Sequence, residues 1–145
     1  MDCSVAQALE VVGEWWTLLI VREFFAPRNK HRFEEIHEDL GIARNILTVR
    51  LQNLLEHGVI ERRLYQEHPP RYEYHLTRKG RDLLPVVLSL LAWGDRWADH
   101  ESGPPVELRH TSCDHRFTPV LTCSHCGEKI EDQTVEASYR RSPAP

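Results

Sequence analysis

Apolar residues recur at helical spacing twice between Arg32 and Gly58, with a glycine separating the two runs. Phe33, Ile36 and Leu40 fall at i, i+3 and i+7, the period of one buried helical face. Gly41 ends that run, because glycine enters the left-handed conformation without steric cost, and Ile42 returns to the core. A second helix is expected from Ala43 to His57, with Leu47, Leu51 and Leu54 on one side and Gly58 as its terminator. At about 100° per residue, Asn45, Thr48, Val49 and Gln52 point away from those leucines, flanked by Arg44 and Arg50. Amides, a hydroxyl and guanidinium groups on one exposed face can meet base edges and phosphates, and a helix-turn-helix lays its second helix in the major groove. A plain helical hairpin with a solvated outer face would carry the same pattern.

The flanking pattern extends this unit. Ser4 and Gln7 have the spacing of a capping box for a first helix whose Val5, Leu9 and Val12 would be buried. After Gly13, a helix from Glu14 to Phe25 carries Trp16, Leu19, Ile20 and Phe24 on one stripe, and Pro27 ends it. The basic run Arg28 to Arg32 could meet phosphates. Beyond Gly58 the period becomes alternating: a strand from Val59 to Tyr65, a loop through Pro69 and Pro70, and a returning strand from Tyr72 to Thr77. This hairpin, with Arg62, Arg63 and Arg71 toward its tip, stands where a winged helix-turn-helix has its wing. A long helix is expected from Arg78 to Asp99, kinked by Pro85 or holding it in its first turns. Its apolar residues, Leu83 to Leu91, wrap most of the circumference, which implies a second apolar contact; a twofold dimer supplies one.

Composition bounds the reading. The 145 residues make one ordinary domain with room for a small appendage, and 41% hydrophobic with 28% charged residues is a globular balance. No basic start followed by an apolar run marks a signal peptide, and Leu83 to Trp93 is too short to span a bilayer, so a cytoplasmic protein with reduced cysteines is expected. The net charge of −4 hides an asymmetry: Arg22 to Arg81 holds 12 Lys and Arg against 9 Asp and Glu, the remainder 6 against 13. The basic part coincides with the helix pair, as a DNA-facing surface requires. No Ser-His-Asp set, phosphate loop or paired-carboxylate pocket can be argued, so an enzyme is not expected.

A linker is expected at Glu101 to Pro105, followed by short strands at Val106 to His110 and Phe117 to Leu121. Cys123 and Cys126, two residues apart and followed by Gly127, have the form of a zinc knuckle. With Cys113 and His115 they offer four nitrogen and sulfur donors for one structural zinc; His110 or His125 could replace His115, and a metal-free extension or a Cys123–Cys126 redox pair are the alternatives.

The run Cys3 to Leu9, Trp16-Thr17, Arg32-Phe33, Leu47-Thr48 with Arg50-Leu51, His57-Gly58, Pro69 to Tyr74, Leu76-Thr77, Gly80 and Trp93-Gly94 resembles the HxlR-type transcriptional regulators, over about two-thirds of the chain. Those are winged-helix DNA-binding homodimers related to the MarR group. The resemblance implies a dimer built from the N-terminal and C-terminal helices. It also puts Ala43, Arg44, Asn45, Thr48 and Val49 on the DNA-facing helix, with Arg62 and Arg71 in or near the wing. Val49 stands where many members carry a polar residue, and Ala43 replaces a frequent helix-starting Ser, so a target sequence cannot be borrowed. Cys3 occupies the place of a cysteine with which several members sense electrophiles or oxidants; a small buried interface residue is the competing role.

The expectation is therefore a mainly α fold with a β-hairpin wing. It comprises a winged helix-turn-helix over 1–100, a linker at 101–105, a zinc-knuckle-like extension over 106–130 and a mobile tail over 131–145. The expected partners are double-stranded DNA and a second copy, with a small-molecule effector and no membrane. Arg32, Arg44, Asn45, Thr48, Val49, Arg50, Gln52, Arg62 and Arg71 are the candidate DNA contacts, and the expected role is repression of a pseudo-palindromic operator. The alternatives are a protein-binding winged-helix module or a thiol redox protein.

Overall fold

A computed structural model of the protein describes residues 3–26 and 31–138. In chain order its elements are α1 (Ser4–Val12), α2 (Trp15–Glu23), α3 (Phe33–Leu40), α4 (Arg44–Glu56), β1 (Ile60–Gln66), β2 (Arg71–Leu76), α5 (Arg78–Arg81), α6 (Leu84–Trp97), β3 (Arg109–His110), β4 (His115–Arg116) and a 3-10 turn (Asp132–Thr134). The chain falls into two compact units, Met1–Leu88 and Ser89–Pro145, so the division runs through α6 and not through the linker at 101–105. Pro27, Arg28 and Lys30, and the end of the expected tail from 139 onward, lie outside the described residues.

The first unit is organised around the leucine face of α4. Leu47, Leu51 and Leu54 are fully or almost fully buried among Ile20, Val21 and Phe24 of the α2 region, Ile36 of α3, Ile42 of the turn, and Val59 and Ile60 of the wing base. Gly41 adopts φ 60° and Gly58 φ 65°, both in the left-handed region that favours glycine, so each helix ends where its glycine falls. The carbonyls left open at the C-terminus of α4 are taken up by the segment after the wing. The Thr77 hydroxyl donates to the Gly58 carbonyl at 2.6 Å, and the Lys79 ammonium donates to that of His57 at 2.8 Å. Gly80 lies against the Val59 carbonyl, where a Cβ would come within 2.1 Å, so only glycine lets this segment close over α4.

The wing is an antiparallel pair with Ile60 opposite Leu76, Arg62 opposite Tyr74 and Leu64 opposite Tyr72, and an irregularity between Leu64 and Gln66. The Tyr74 amide donates to the His31 carbonyl at 2.8 Å, which fastens the segment before α3 to the wing.

Three expectations change. Ser4 is the first residue of α1 and not its cap, because the extended Cys3 already holds the N-cap position and its carbonyl accepts the Gln7 amide at 3.0 Å. Val12 is buried, but Val5 and Leu9 are 68% and 56% exposed. The single helix from Arg78 to Asp99 is instead two. Thr77 caps the short α5 by accepting from the Gly80 amide at 3.2 Å, and α6 starts afresh at Leu84 with Pro85 in its first turn.

In the second unit, Arg109 pairs with Arg116 and His110 with His115, while Thr122 bridges Lys129. The start of the expected tail carries the 3-10 turn, where the Thr134 hydroxyl accepts the Glu131 amide at 2.9 Å. No single helix among the described residues is long and apolar enough to cross a membrane.

Candidate nucleic-acid interface

Because the leucines of α4 are locked into the core, the opposite face is fixed in direction, and Asn45, Thr48, Val49 and Gln52 are all exposed on it. The Thr48 hydroxyl donates to the Arg44 carbonyl at 2.9 Å, which leaves its oxygen free to accept. The Gln52 amide nitrogen donates to Glu56 at 2.9 Å, leaving its carbonyl oxygen and a second N–H for a partner. Val49 is 55% exposed and offers only an apolar surface, suited to a thymine methyl.

Arg44 is exposed at the start of this face and grips Glu34 of α3 through its two terminal guanidinium nitrogens, at 2.7 and 2.5 Å. This pairing holds the Glu34 carboxyl below the usual carboxylate range and raises Arg44 further. Both groups lie in solvent, where such a pair is weak, so a phosphate or a guanine edge can displace Glu34. Sequence patterning did not identify Glu34, because it meets Arg44 across the turn and not within one helix.

Two of the expected DNA contacts are turned elsewhere. Arg50 lies about 200° around α4 from Thr48, beside the leucine stripe, and its half-buried guanidinium pairs with Glu14 at 3.1 Å. Arg50 thus ties α4 to the start of α2 and does not face outward with Asn45. Arg32 is half-buried, with its guanidinium 4.0 Å from the Tyr65 ring centroid, and its backbone amide donates to Glu35 at 2.9 Å. These contacts link the start of α3 to the end of β1. Arg62 and Arg71 are exposed, as a phosphate contact requires. Arg62 lies over the Tyr72 ring at 4.7 Å, an ordering partner that strand alternation could have revealed.

The expected zinc set is not assembled. Among the described residues no three His, Cys, Asp or Glu side chains gather as a metal site, and His115 directs its Nδ1 to the carbonyl of Cys113 at 2.5 Å. Cys123 and Cys126 do face each other. The amides of Cys126 and His125 and the Cys126 thiol donate to the Cys123 sulfur and lower its pKa. Cys3 is half-exposed at the N-cap of α1.

A glycine-terminated helix pair, an outward polar face on its second helix and a basic hairpin directly after it define a winged helix-turn-helix. The HxlR-like helix-turn-helix family model matches residues 11–102, and the chain belongs to that family. It is similar to an uncharacterised HTH-type transcriptional regulator of Mycobacterium tuberculosis, 47% identical over 133 residues that cover 91% of this chain and 82% of that protein. It is also similar to the uncharacterised HTH-type transcriptional regulator YdeP of Bacillus subtilis, 35% identical over 98 residues, 67% of this chain and 75% of the relative. Among solved structures, PA1607, described as a candidate transcription factor, matches with TM-score 0.82 and 32% identity over 96% of both chains. The redox regulator HypR in its oxidised form matches with TM-score 0.60 and 33% identity, over 68% of this chain and all of that one. The protein is thus a transcriptional regulator with a helix-turn-helix DNA-binding domain.

Proposed function

We propose that the protein is a homodimeric repressor that reads a pseudo-palindromic operator with two copies of α4. The observation that carries this reading is the division of α4 into a buried leucine face and an exposed face of Asn45, Thr48, Val49 and Gln52, with Arg44 at its edge. Those side chains select sequence, while Arg62 and Arg71 of the wing add phosphate affinity without selecting it. The dimer is supported by apolar surface that a single chain leaves open: Val5, Leu9 and Trp15 near the N-terminus, and Leu90, Trp93 and Trp97 on α6, which buries none of its residues. Repression follows from a compact dimer occupying a promoter and requires no further activating surface. The test is binding to the DNA upstream of the protein's own gene, compared with random duplex across a salt series. A preference that Arg44→Ala removes supports the reading, and equal binding to both duplexes opposes it.

Cys3 enters this proposal as a thiol through which an oxidant or electrophile acts, on the strength of its half-exposed place at the start of α1 and the likeness to a redox regulator. Oxidant should then release the wild-type protein from its operator and leave Cys3→Ser bound.

A further inference from the structure

The stretch from Leu108 to Ile130 contains the same local structure twice. The Phe117 amide donates to the Leu108 carbonyl at 3.1 Å, and the Ile130 amide donates to that of Leu121 at 2.9 Å, so each half is a small hairpin closed at its open end. Setting Leu108 on Leu121 brings His110 onto Cys123, Cys113 onto Cys126, Asp114 onto Gly127 and Phe117 onto Ile130. The turns agree in detail. The Asp114 amide donates to the His110 carbonyl at 2.8 Å, as the Gly127 amide does to that of Cys123, also at 2.8 Å. Asp114 has φ 59° and Gly127 φ 76°; Asp114 is the sole non-glycine residue with positive φ among those described. A left-handed conformation at Asp114 is unfavourable for a residue with a Cβ, yet the first turn keeps the form of the second.

Each turn brings two soft or borderline donors together with two residues between them. In the first, His110 Nδ1 is 3.4 Å from the Cys113 sulfur. In the second, the Cys126 thiol and the amides of His125 and Cys126 point at the Cys123 sulfur, as backbone amides do around a bound thiolate. His115 is not part of the repeat: its counterpart is Glu128, and its Nδ1 is engaged by the Cys113 carbonyl. Besides these turns, the region has exposed ion pairs such as Arg109–Asp114 and Arg116–Glu107, which contribute little. From Val106 to Ala137 no residue is buried, and only Leu108, Pro119 and Cys123 reach intermediate burial. A stretch this short with no apolar core needs another source of folding free energy, which a structural metal supplies.

We propose that the extension is a two-knuckle zinc site in which His110 and Cys113 from one hairpin and Cys123 and Cys126 from the other bind a single ion. The ligand set is one nitrogen and three sulfurs with no position left for water, so the site is structural. The three thiols lose their protons to solvent on binding, and the metal undergoes no change of oxidation state. Among the described residues neither hairpin gathers more than two of these donors alone, so the site needs both. The ion is the element that joins them.

The test uses the full-length chain under reducing conditions, loaded with zinc alone, passed through a desalting column and assayed for metal. About one equivalent per chain is expected. Cobalt in its place should give the intense visible bands of a tetrahedral ion together with thiolate-to-cobalt charge transfer. His115→Ala should keep the equivalent and the spectrum, and His110→Ala should lose both. His110→Cys restores four donors and should regain the equivalent with stronger charge transfer, which separates loss of a ligand from loss of folding. Operator binding and far-ultraviolet circular dichroism verify that the helix-turn-helix unit is intact in each variant. Less than about a tenth of an equivalent in the wild-type protein overturns the site. So does full retention by His110→Ala, or loss on His115→Ala.

Discussion

Helices α4 and α6 both leave a face uncovered in the single chain, and the two faces differ in kind. The outer face of α4 carries an amide, a hydroxyl, a glutamine and one valine, with hydrogen-bonding capacity left over, and its inner leucines are anchored in the core. On α6 no residue is buried, and Leu90, Trp93 and Trp97 are 51%, 67% and 65% exposed. Water solvates the first face at little cost and the second at a large one. A polar face held rigidly in place suits a hydrophilic, patterned partner such as the edge of a base pair. An apolar face of this size suits another apolar surface, and a second copy of the chain always supplies one.

The change expected to test this contrast hardest is Leu90→Asp combined with Trp93→Glu. It should convert the dimer to monomer by light scattering and cost operator affinity about 10²- to 10⁴-fold, because two linked half-site contacts become independent. Unchanged mass and affinity would show that α6 is not the dimer surface. Next in size, Leu51→Ala should lower stability in urea denaturation by about 2–5 kcal/mol, whereas Val49→Ala on the opposite face should stay within about 0.5 kcal/mol and alter operator binding instead. Similar stability losses at the two sites would dissolve the distinction between inner and outer faces.

Smaller effects separate the arginines. Arg44→Ala should cost about 1–3 kcal/mol of preference for operator over random duplex. Arg62→Ala should weaken both alike and reduce the salt slope by about 1. Arg50→Ala should leave the preference unchanged, since its guanidinium is spent on Glu14. Competition anisotropy at two salt concentrations measures all three.

The smallest effect is at the junction of α2, α3 and wing. Burial pushes the pKa of His31 below its ordinary value of 6.5, with the nearby His75 adding to the effect and Glu23 and Glu35 opposing it. The unfolded chain therefore takes up this proton first as the pH falls. His31's contribution is whole above pH 6.5 and drains away as the pH drops through the folded-state value. His31→Gln should flatten the acid side of the stability profile measured by thermal melts at graded pH.

What could be read in the chain before folding was whatever depends on period and on glycine. The leucine stripe of α4, the stops at Gly41 and Gly58 and the two strands of the wing follow from local spacing and stand in the structure, although burial along β1 and β2 does not alternate. Directions set by tertiary partners could not be read this way. Arg50 was grouped with the outer face by its place in sequence, although its angle on the helix puts it beside the leucines, where Glu14 is within reach. Arg32 is diverted by Tyr65, and Arg44 is held by Glu34 from the preceding helix. The break before α6 depends on Thr77 and Gly80 packing over the end of α4, a long-range requirement that leaves no periodic trace. In the extension, the Cys-x-x-Cys turn was evident from sequence. Spacing alone left the fourth donor open between His115, His110 and His125, and the choice of His110 comes from matching the backbone hydrogen bonds of the two turns.

The most direct test of the central claim is hydroxyl-radical footprinting and guanine-methylation interference on the DNA upstream of the protein's own gene. Two equivalent major-groove half-sites are predicted, about one helical turn of 10–10.5 base pairs or a multiple of it apart, with the interference in each half-site lost in Arg44→Ala. A single protected patch, or a pattern indifferent to Arg44, would contradict it.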